Sequence, residues 1–468
     1  MVSKKNKIIN QNYLNYLLNR FENVSSAKVK KILQKASYLK GLSPKEVAVL
    51  LNIKEPGQIS ELYNTAYKIK NTIYGHRLVL FAPLYISNYC SNNCLYCGYR
   101  RDNTKIKRKC LSLEEIKRET KLILNQGHKR ILMLMGEHPD RCSFDYFIES
   151  IEAVYRVKNK KGDSIRRINV EVPPLNKDEF KKLAGANIGT YTVFQETYHQ
   201  KTYKKMHPKG EKNNYFKRLN TMDRALVNGL NDVGIGALFG LYNWRFEALA
   251  LLEHARYLDK TYGVGPHTIS VPRIEPAAGA PLSTNIPYPV SNEDFKKIVA
   301  VLRCAVPYTG IILSTREPPK LRQEIFNLGV SQISAGSRTA PGGYGKSQPN
   351  NDGDGQFSLN DMRSVGEVIK SVMSQGYIPS FCTGCYRLGR VGGDFMDLAK
   401  PGLIKLNCLP NALTTLKEYL MDYGDEEAKK IGKKLINQNL KKIPDNERRN
   451  KTKQFLKKIE NGKRDLYF

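Results

Sequence analysis

The chain has 468 residues, 41% hydrophobic and 26% charged, which is the balance of a globular protein. No apolar run approaches the roughly 18 residues of a membrane helix, residues 1–11 show no secretory signal, and nine cysteines are too sparse for a disulfide scaffold; a cytoplasmic protein with reduced thiols is expected. The formal net charge of +32 leaves a nucleic-acid-binding or nucleic-acid-modifying function open, although lysines spread over the whole length, as at Lys429, Lys430, Lys433 and Lys434, read better as a solvated cationic surface or one that meets an acidic partner.

Residues 1–75 read as polar amphipathic helices that wrap the fold, with Ser43-Pro44-Lys45-Glu46 as a helix start carrying proline at its first position. From His76 onward, short β-branched runs alternate with helical stretches. Strands are predicted at 78–86, 130–135, 167–172, 189–195, 232–239, 268–274, 309–314 and 331–335, with helices at 113–125, 144–157, 246–259 and 294–306 between some of them. Such βα units over residues 76–340 predict an α/β architecture, a closed (βα)8 barrel of the TIM type, whose chemistry lies at the C-terminal ends of its strands. Residues 340–356, rich in Gly, Pro, Asn and Asp, read as a loop. A mainly helical C-terminal domain is expected over 341–468, with helices at 359–375 and 413–423 and a charged helical tail.

Cys90, Cys94 and Cys97 follow the first predicted strand directly. Three thiolates hold three irons of a four-iron cluster and leave the fourth open to a ligand; zinc is the competing reading, but it takes four ligands, and no fourth stands nearby. Cys110 lies beyond a cationic run and reads as an incidental thiol. Cys382, Cys385 and Cys408 form a second trio, again without a fourth cysteine. Glu171, Gln195, Glu196 and Arg273 stand at later strand ends, where cofactor contact and ordinary solvation are both open.

The Cys-x3-Cys-x-aromatic-Cys spacing, with Tyr96 as the aromatic, resembles the radical S-adenosylmethionine superfamily. That resemblance implies that the cofactor's methionine group chelates the open iron and that reductive cleavage yields a 5′-deoxyadenosyl radical. Met135-Gly136-Glu137 occupies the place of the superfamily's Gly-Gly-Glu stretch, with Met135 replacing the first glycine, so Gly136 and Glu137 are implied to bind the methionine amine.

Together with Phe81-Ala82-Pro83-Leu84-Tyr85, Gly136-Glu137-His138-Pro139, Phe194-Gln195-Glu196-Thr197-Tyr198-His199, Pro266-His267 through Pro272-Arg273, and Arg464-Asp465-Leu466-Tyr467-Phe468, the two trios resemble the tyrosine lyase maturases of iron-iron hydrogenase. Val391 departs from the threonine expected there. The resemblance implies anaerobic cleavage of the Cα–Cβ bond of L-tyrosine to p-cresol and dehydroglycine. It also implies decomposition of dehydroglycine to carbon monoxide and cyanide at a second 4Fe-4S cluster with an additional iron, forming an Fe(CO)(CN) precursor of the hydrogenase cluster. His267 is implied as a ligand of that iron, with cysteine as a further ligand, and a reductant and a scaffold maturase as partners. Arg316, Ser337 and Arg338 are candidates to hold the tyrosine carboxylate by guanidinium geometry, and Arg387 and Arg390 to hold an anionic fragment; structural ion pairs are the alternative for each arginine. The rival within the same chemistry is a 2-iminoacetate synthase, which stops at tyrosine cleavage.

Overall fold

The structure is a computed structural model that describes residues 8–346 and 353–468. Residues 1–7 of the predicted N-terminal wrap and 347–352 of the predicted loop lie outside the described residues.

Four helices, Gln11–Arg20, Ser26–Ala36, Pro44–Asn52 and Pro56–Tyr74, open the chain. Ser43 caps the third as foreseen, in a reciprocal box with Glu46 that satisfies otherwise unpaired amides. This layer is fastened to the barrel through the backbone: Lys297 Nζ donates to Ile53 O (2.8 Å), and Leu42 N to Ala305 O (3.2 Å). Gly75, at φ 63°, then turns the chain from the fourth helix directly into the first strand, a backbone angle that glycine adopts without strain.

Eight parallel strands close the barrel: β1 (Arg77–Ser87), β2 (Arg130–Met135), β3 (Arg167–Glu171), β4 (Tyr191–Glu196), β5 (Val233–Ala237), β6 (Thr268–Ser270), β7 (Gly310–Leu313) and β8 (Gln332–Ser334). β1 joins both β2 and β8, and all its residues are buried, as expected where helices cover the outside of a parallel sheet and side chains fill its inside. A ninth strand, β9 (Ile378–Ser380), was not foreseen; it lies parallel beside the start of β1, with Arg77 opposite Ile378 and Val79 opposite Ser380. The C-terminal segment therefore contributes a strand to the barrel's own sheet.

The helices predicted between the strands shift by at most three residues at either end, whereas the two predicted in the C-terminal segment have clearly different bounds. The first spans Val365–Ser374 because Ser364 forms its capping box with Glu367, leaving Asn360 and Asp361 free for side-chain contacts. The other spans Lys405–Tyr423 and carries Pro410 inside, so Cys408 lies on a helix. Helices Glu426–Leu440 and Asn446–Glu460 follow, and the chain returns so that Phe468 N donates to Asn411 Oδ1 (2.7 Å). Among the described residues no helix is long and apolar enough to cross a membrane.

Candidate active site

Side chains of β1 alternate, and one face points into the barrel along its whole length. Phe81, Pro83 and Tyr85 line a cavity at the C-terminal end of the barrel; Arg77 and Val79, on the same face, line another at the N-terminal end. Gln332 borders both. At strand rise, Arg77 and Tyr85 are about 26 Å apart, so one lumen has two chemically distinct ends.

The first cysteine trio stands over the C-terminal end. Its loop is stapled by Arg108, whose guanidinium donates to the carbonyls of Asn88 (2.7 Å), Tyr99 (2.9 Å), Arg100 (2.6 Å) and Asn103 (3.1 Å). The cationic run after the cysteines thus shapes their loop. Burial first, then the neighbouring thiolates, pushes Cys94 up to about 12 and Cys97 up to about 11, a cost that a bound metal cation reverses. Tyr96 is buried, its hydroxyl 2.8 Å from His207 Nε2. Gly136 lies so close beneath the loop that a Cβ there would stand 2.2 Å from Tyr89 O and 3.2 Å from Cys90 Cβ. Asn92 Nδ2 bridges the two segments, 2.5 Å from Glu137 Oε2 and 3.8 Å from Cys90 Sγ. A trio of thiols fits a four-iron cluster with one iron open to a ligand, and glycine at 136 lets the 136–137 turn pack directly against the cysteine loop.

Below the trio, a cavity is lined by Glu171, Arg316 and Ser337; a second continues from Glu171 and Arg316 to Glu196, Lys212, Tyr96 and Cys97. Ser337 Oγ is buried without a hydrogen-bond partner. Arg316 lies 3.3 Å over the Phe357 ring, and Asn360 Nδ2 holds its carbonyl at 2.7 Å. Glu196 ends β4 at φ 70°, an uncommon backbone for a residue with a Cβ. That turn delivers its carboxylate to Lys212 Nζ (2.6 Å) and to Arg218 (3.6 Å). Burial raises the Glu196 pKa, but Lys212 and Arg218 outweigh it and hold the carboxyl below its ordinary range. Lys212 and Arg218, which no motif marks, complete a site with both charges for a zwitterion.

Glu171 differs: burial, and then the Glu196 charge, pushes it up to about 7. Its proton is held more tightly in the folded chain than in the unfolded one, so stability is full below the ordinary carboxyl range and is lost as pH rises through about 7. The metal-free chain is expected to lose on the order of 1–3 kcal/mol between about pH 5 and about pH 8, and Glu171→Gln to flatten that slope. Urea unfolding at both pH values checks it; equal slopes in the two proteins would refute the assignment.

Two candidates are engaged elsewhere, and a third lies on the other face of its strand. Arg273 forms a two-pronged ion pair with buried Glu317 and donates to Val290 O (2.8 Å). Arg338 donates to Ser337 O (3.0 Å) and lies 5.9 Å from the Tyr344 ring centre. Gln195 alternates with the cavity-facing Phe194 and Glu196 and leaves its Nε2 buried without a partner.

The second trio surrounds the N-terminal cavity. β9 delivers Cys382, the short helix Gly384–Arg387 carries Cys385, and Cys408 comes from Lys405–Tyr423; all three line this cavity with Arg77, Arg130 and His267. Burial raises all three thiol pKa values. Among the described residues no three His, Cys, Asp or Glu side chains converge as a lone metal ion requires. Arg77 and Arg130 each leave a buried Nε without a partner, so unspent positive charge faces a place where an iron–sulfur cluster would carry negative charge. His267 stands 3.4 Å from Asp232 Oδ1 through Nδ1 and 3.2 Å from the Tyr386 hydroxyl through Nε2, so Tyr386 would have to release Nε2 for the imidazole to bind a metal backed by Asp232. Arg390 donates to Phe468 O (2.6 Å) and Arg387 pairs with Asp465 (2.6 Å), so the two expected anion holders fasten the final residues beside the trio.

The sequence profile of the radical SAM superfamily matches residues 84–252, and that of the biotin and thiamin synthesis associated domain matches 270–378. A crystal structure of HydG, a maturase of the [FeFe]-hydrogenase, is 50% identical and covers 98% of this chain and 100% of its own, with a TM-score of 0.95. HydG from Carboxydothermus hydrogenoformans is 40% identical, covering 95% of this chain and 97% of its own with a TM-score of 0.82. The 2-iminoacetate synthase of Escherichia coli K12 is 32% identical over 350 residues, which is 75% of this chain and 89% of that enzyme. Likeness to both maturases extends over nearly the whole length, and the chain therefore belongs to the radical SAM family of HydG-type [FeFe]-hydrogenase maturases.

Proposed function

We propose that this chain cleaves the Cα–Cβ bond of L-tyrosine to p-cresol and dehydroglycine at the C-terminal end of the barrel. At the N-terminal end it converts dehydroglycine to carbon monoxide and cyanide, forming an Fe(CO)(CN) precursor of the hydrogenase cluster. The observation that carries this reading is the pair of separate thiol trios, one at each end of a single lumen. The first cluster with S-adenosylmethionine supplies a hydrogen-abstracting adenosyl radical.

This chain's own residues position the reactants. Arg316 and Ser337 are suited to a tyrosine carboxylate, Gly136 and Glu137 to the cofactor's methionine group, and Glu196 with Lys212 to fixing charge beside Tyr96. Phe357 and Gln356 line both parts of this cavity, and the Phe357 ring under Arg316 adds an apolar wall. At the other end, Cys382, Cys385 and Cys408 hold the second cluster, His267 and free cysteine serve an additional iron, and Arg77 and Arg130 offset negative charge. A reductant and a scaffold maturase complete the assignment in an anaerobic cytoplasm.

The test is an oxygen-free assay of cluster-loaded enzyme with tyrosine, S-adenosylmethionine and reductant. It should give p-cresol, 5′-deoxyadenosine and carbon monoxide trapped by a haem protein, with two cluster signals in electron paramagnetic resonance. p-Cresol without carbon monoxide would return the chain to the 2-iminoacetate synthase reading. Tyrosine-independent chemistry and salt-sensitive RNA binding would instead favour the nucleic-acid alternative.

A further inference from the structure

Cys110 and Cys142 belong to neither trio. Cys110 lies on the segment returning from the first cysteine loop and bridges to Ser87 at the end of β1; Cys142 immediately precedes Ser143, the cap of helix Phe144–Arg156. Their sulfur atoms are 3.3 Å apart, and Cys142 Sγ is also 2.8 Å from Ser87 Oγ. A disulfide needs about 2.05 Å, so a small approach of two loop segments suffices. Cys110 is partly exposed while Cys142 is buried, the asymmetry of an attacking thiol and a resolving one. The Cys142 S–H bond lowers the Cys110 pKa, against the opposing effect of burial, and the Tyr146 hydroxyl assists.

We propose that Cys110 and Cys142 form a reversible dithiol–disulfide site that accepts a low-molecular-weight disulfide as oxidant and, when closed, weakens cofactor binding at the first cluster. Cys110 thiolate attacks one oxidant sulfur and releases one thiolate, which takes up the proton Cys110 has lost. Cys142 then gives its proton to the second leaving thiolate as its own sulfur attacks Cys110, so two protein thiols are oxidised and one small disulfide is reduced to two thiols.

The coupling follows from Ser87. Its carbonyl accepts from Gly136 N (3.1 Å) while its hydroxyl contacts Cys142. Drawing the sulfurs together by about 1 Å pulls residues 136–142 toward Cys110, and Gly136 has no slack against Tyr89 and Cys90. This second half rests on the cofactor site proposed above; the dithiol itself does not.

Cluster-loaded enzyme is to be treated anaerobically with glutathione disulfide, its remaining thiols alkylated and its peptides mapped. A Cys110–Cys142 cross-link is expected, with a stable glutathione adduct on Cys110 in Cys142→Ser and no adduct on Cys142 in Cys110→Ser. Equilibrium dialysis should show S-adenosylmethionine bound at least about fivefold more weakly after oxidation, restored by dithiothreitol and insensitive to oxidation in Cys110→Ser. No cross-linked peptide overturns the dithiol site, and a cross-link that leaves affinity unchanged overturns the coupling. A reduced enzyme that does not bind the cofactor overturns the function proposed above, while the peptide map still decides the dithiol.

Discussion

Cys385→Ala is expected to abolish carbon monoxide release while p-cresol formation stays within about a factor of two of the parent, because sites that share no partners respond independently. Cys385 lines the N-terminal cavity and is absent from the lining of the C-terminal one. Its partners are local: Arg390 is its side-chain hydrogen-bond partner and Cys408 its neighbouring charge. Two thiols cannot retain a cluster that three held with one iron already open, so iron content should fall by one cluster and the second resonance signal should vanish. The first trio, Arg316 and Ser337 remain as they were. Carbon monoxide at the parent rate would show that the second trio is not where dehydroglycine is consumed; equal loss of p-cresol would show that the two ends act as one site.

The eight barrel strands were legible because a sheet buried on both faces requires β-branched runs with helices between them. Their lengths were less so. The run at 268–274 contains Pro272, which has no amide to donate; regular pairing stops at Ser270, and the chain continues only through an isolated bridge from Phe239 to Arg273. β9 was missed for a similar reason, since Ile378-Pro379-Ser380 is too short to show a period and proline inside it argues against a strand. It survives at the edge because it meets only the first residues of β1.

The site divides along the same line. Cysteine spacing within Cys90–Cys97 and Cys382–Cys385 is local in sequence, so these could be grouped directly, and the structure brings Cys408 to the second cavity from a later helix. Lys212 and Arg218 act on Glu196 from segments after the fourth strand and look in sequence like any other solvated cations. Arg77 and Arg130 were invisible because barrel chemistry is sought at the C-terminal strand ends, whereas the second cavity opens at the other end. Arg273 had the right strand end but the wrong neighbour: Glu317, from beyond β7, takes its guanidinium. Pairings between distant segments, rather than residue type, decided these cases.

Gly136→Ala is expected to lower cofactor cleavage, read as tyrosine-dependent 5′-deoxyadenosine, by about 100-fold, since a displacement near 1 Å at a reacting centre costs that much. Glycine is required there by space: the backbone is not in the left-handed region, yet an added Cβ would meet Tyr89 O at 2.2 Å and Cys90 Cβ at 3.2 Å. The atom it strikes is main chain, which cannot swing aside like a flexible side chain, so either the 136–137 turn or the cysteine loop must move. Ser91 resists the first, because its amide (2.7 Å) and its hydroxyl (2.8 Å) both donate to Glu137 O. Arg108 resists the second through its four carbonyl contacts. The strain, about 1–3 kcal/mol for an overpacked methyl, should therefore appear at Cys90 and at the cofactor's methionine group while the second cluster keeps its spectrum. Gly185→Ala is the control, because nothing lies within 4 Å of its added Cβ. If Gly136→Ala cleaved the cofactor at the parent rate, the methionine group would have to bind away from this turn.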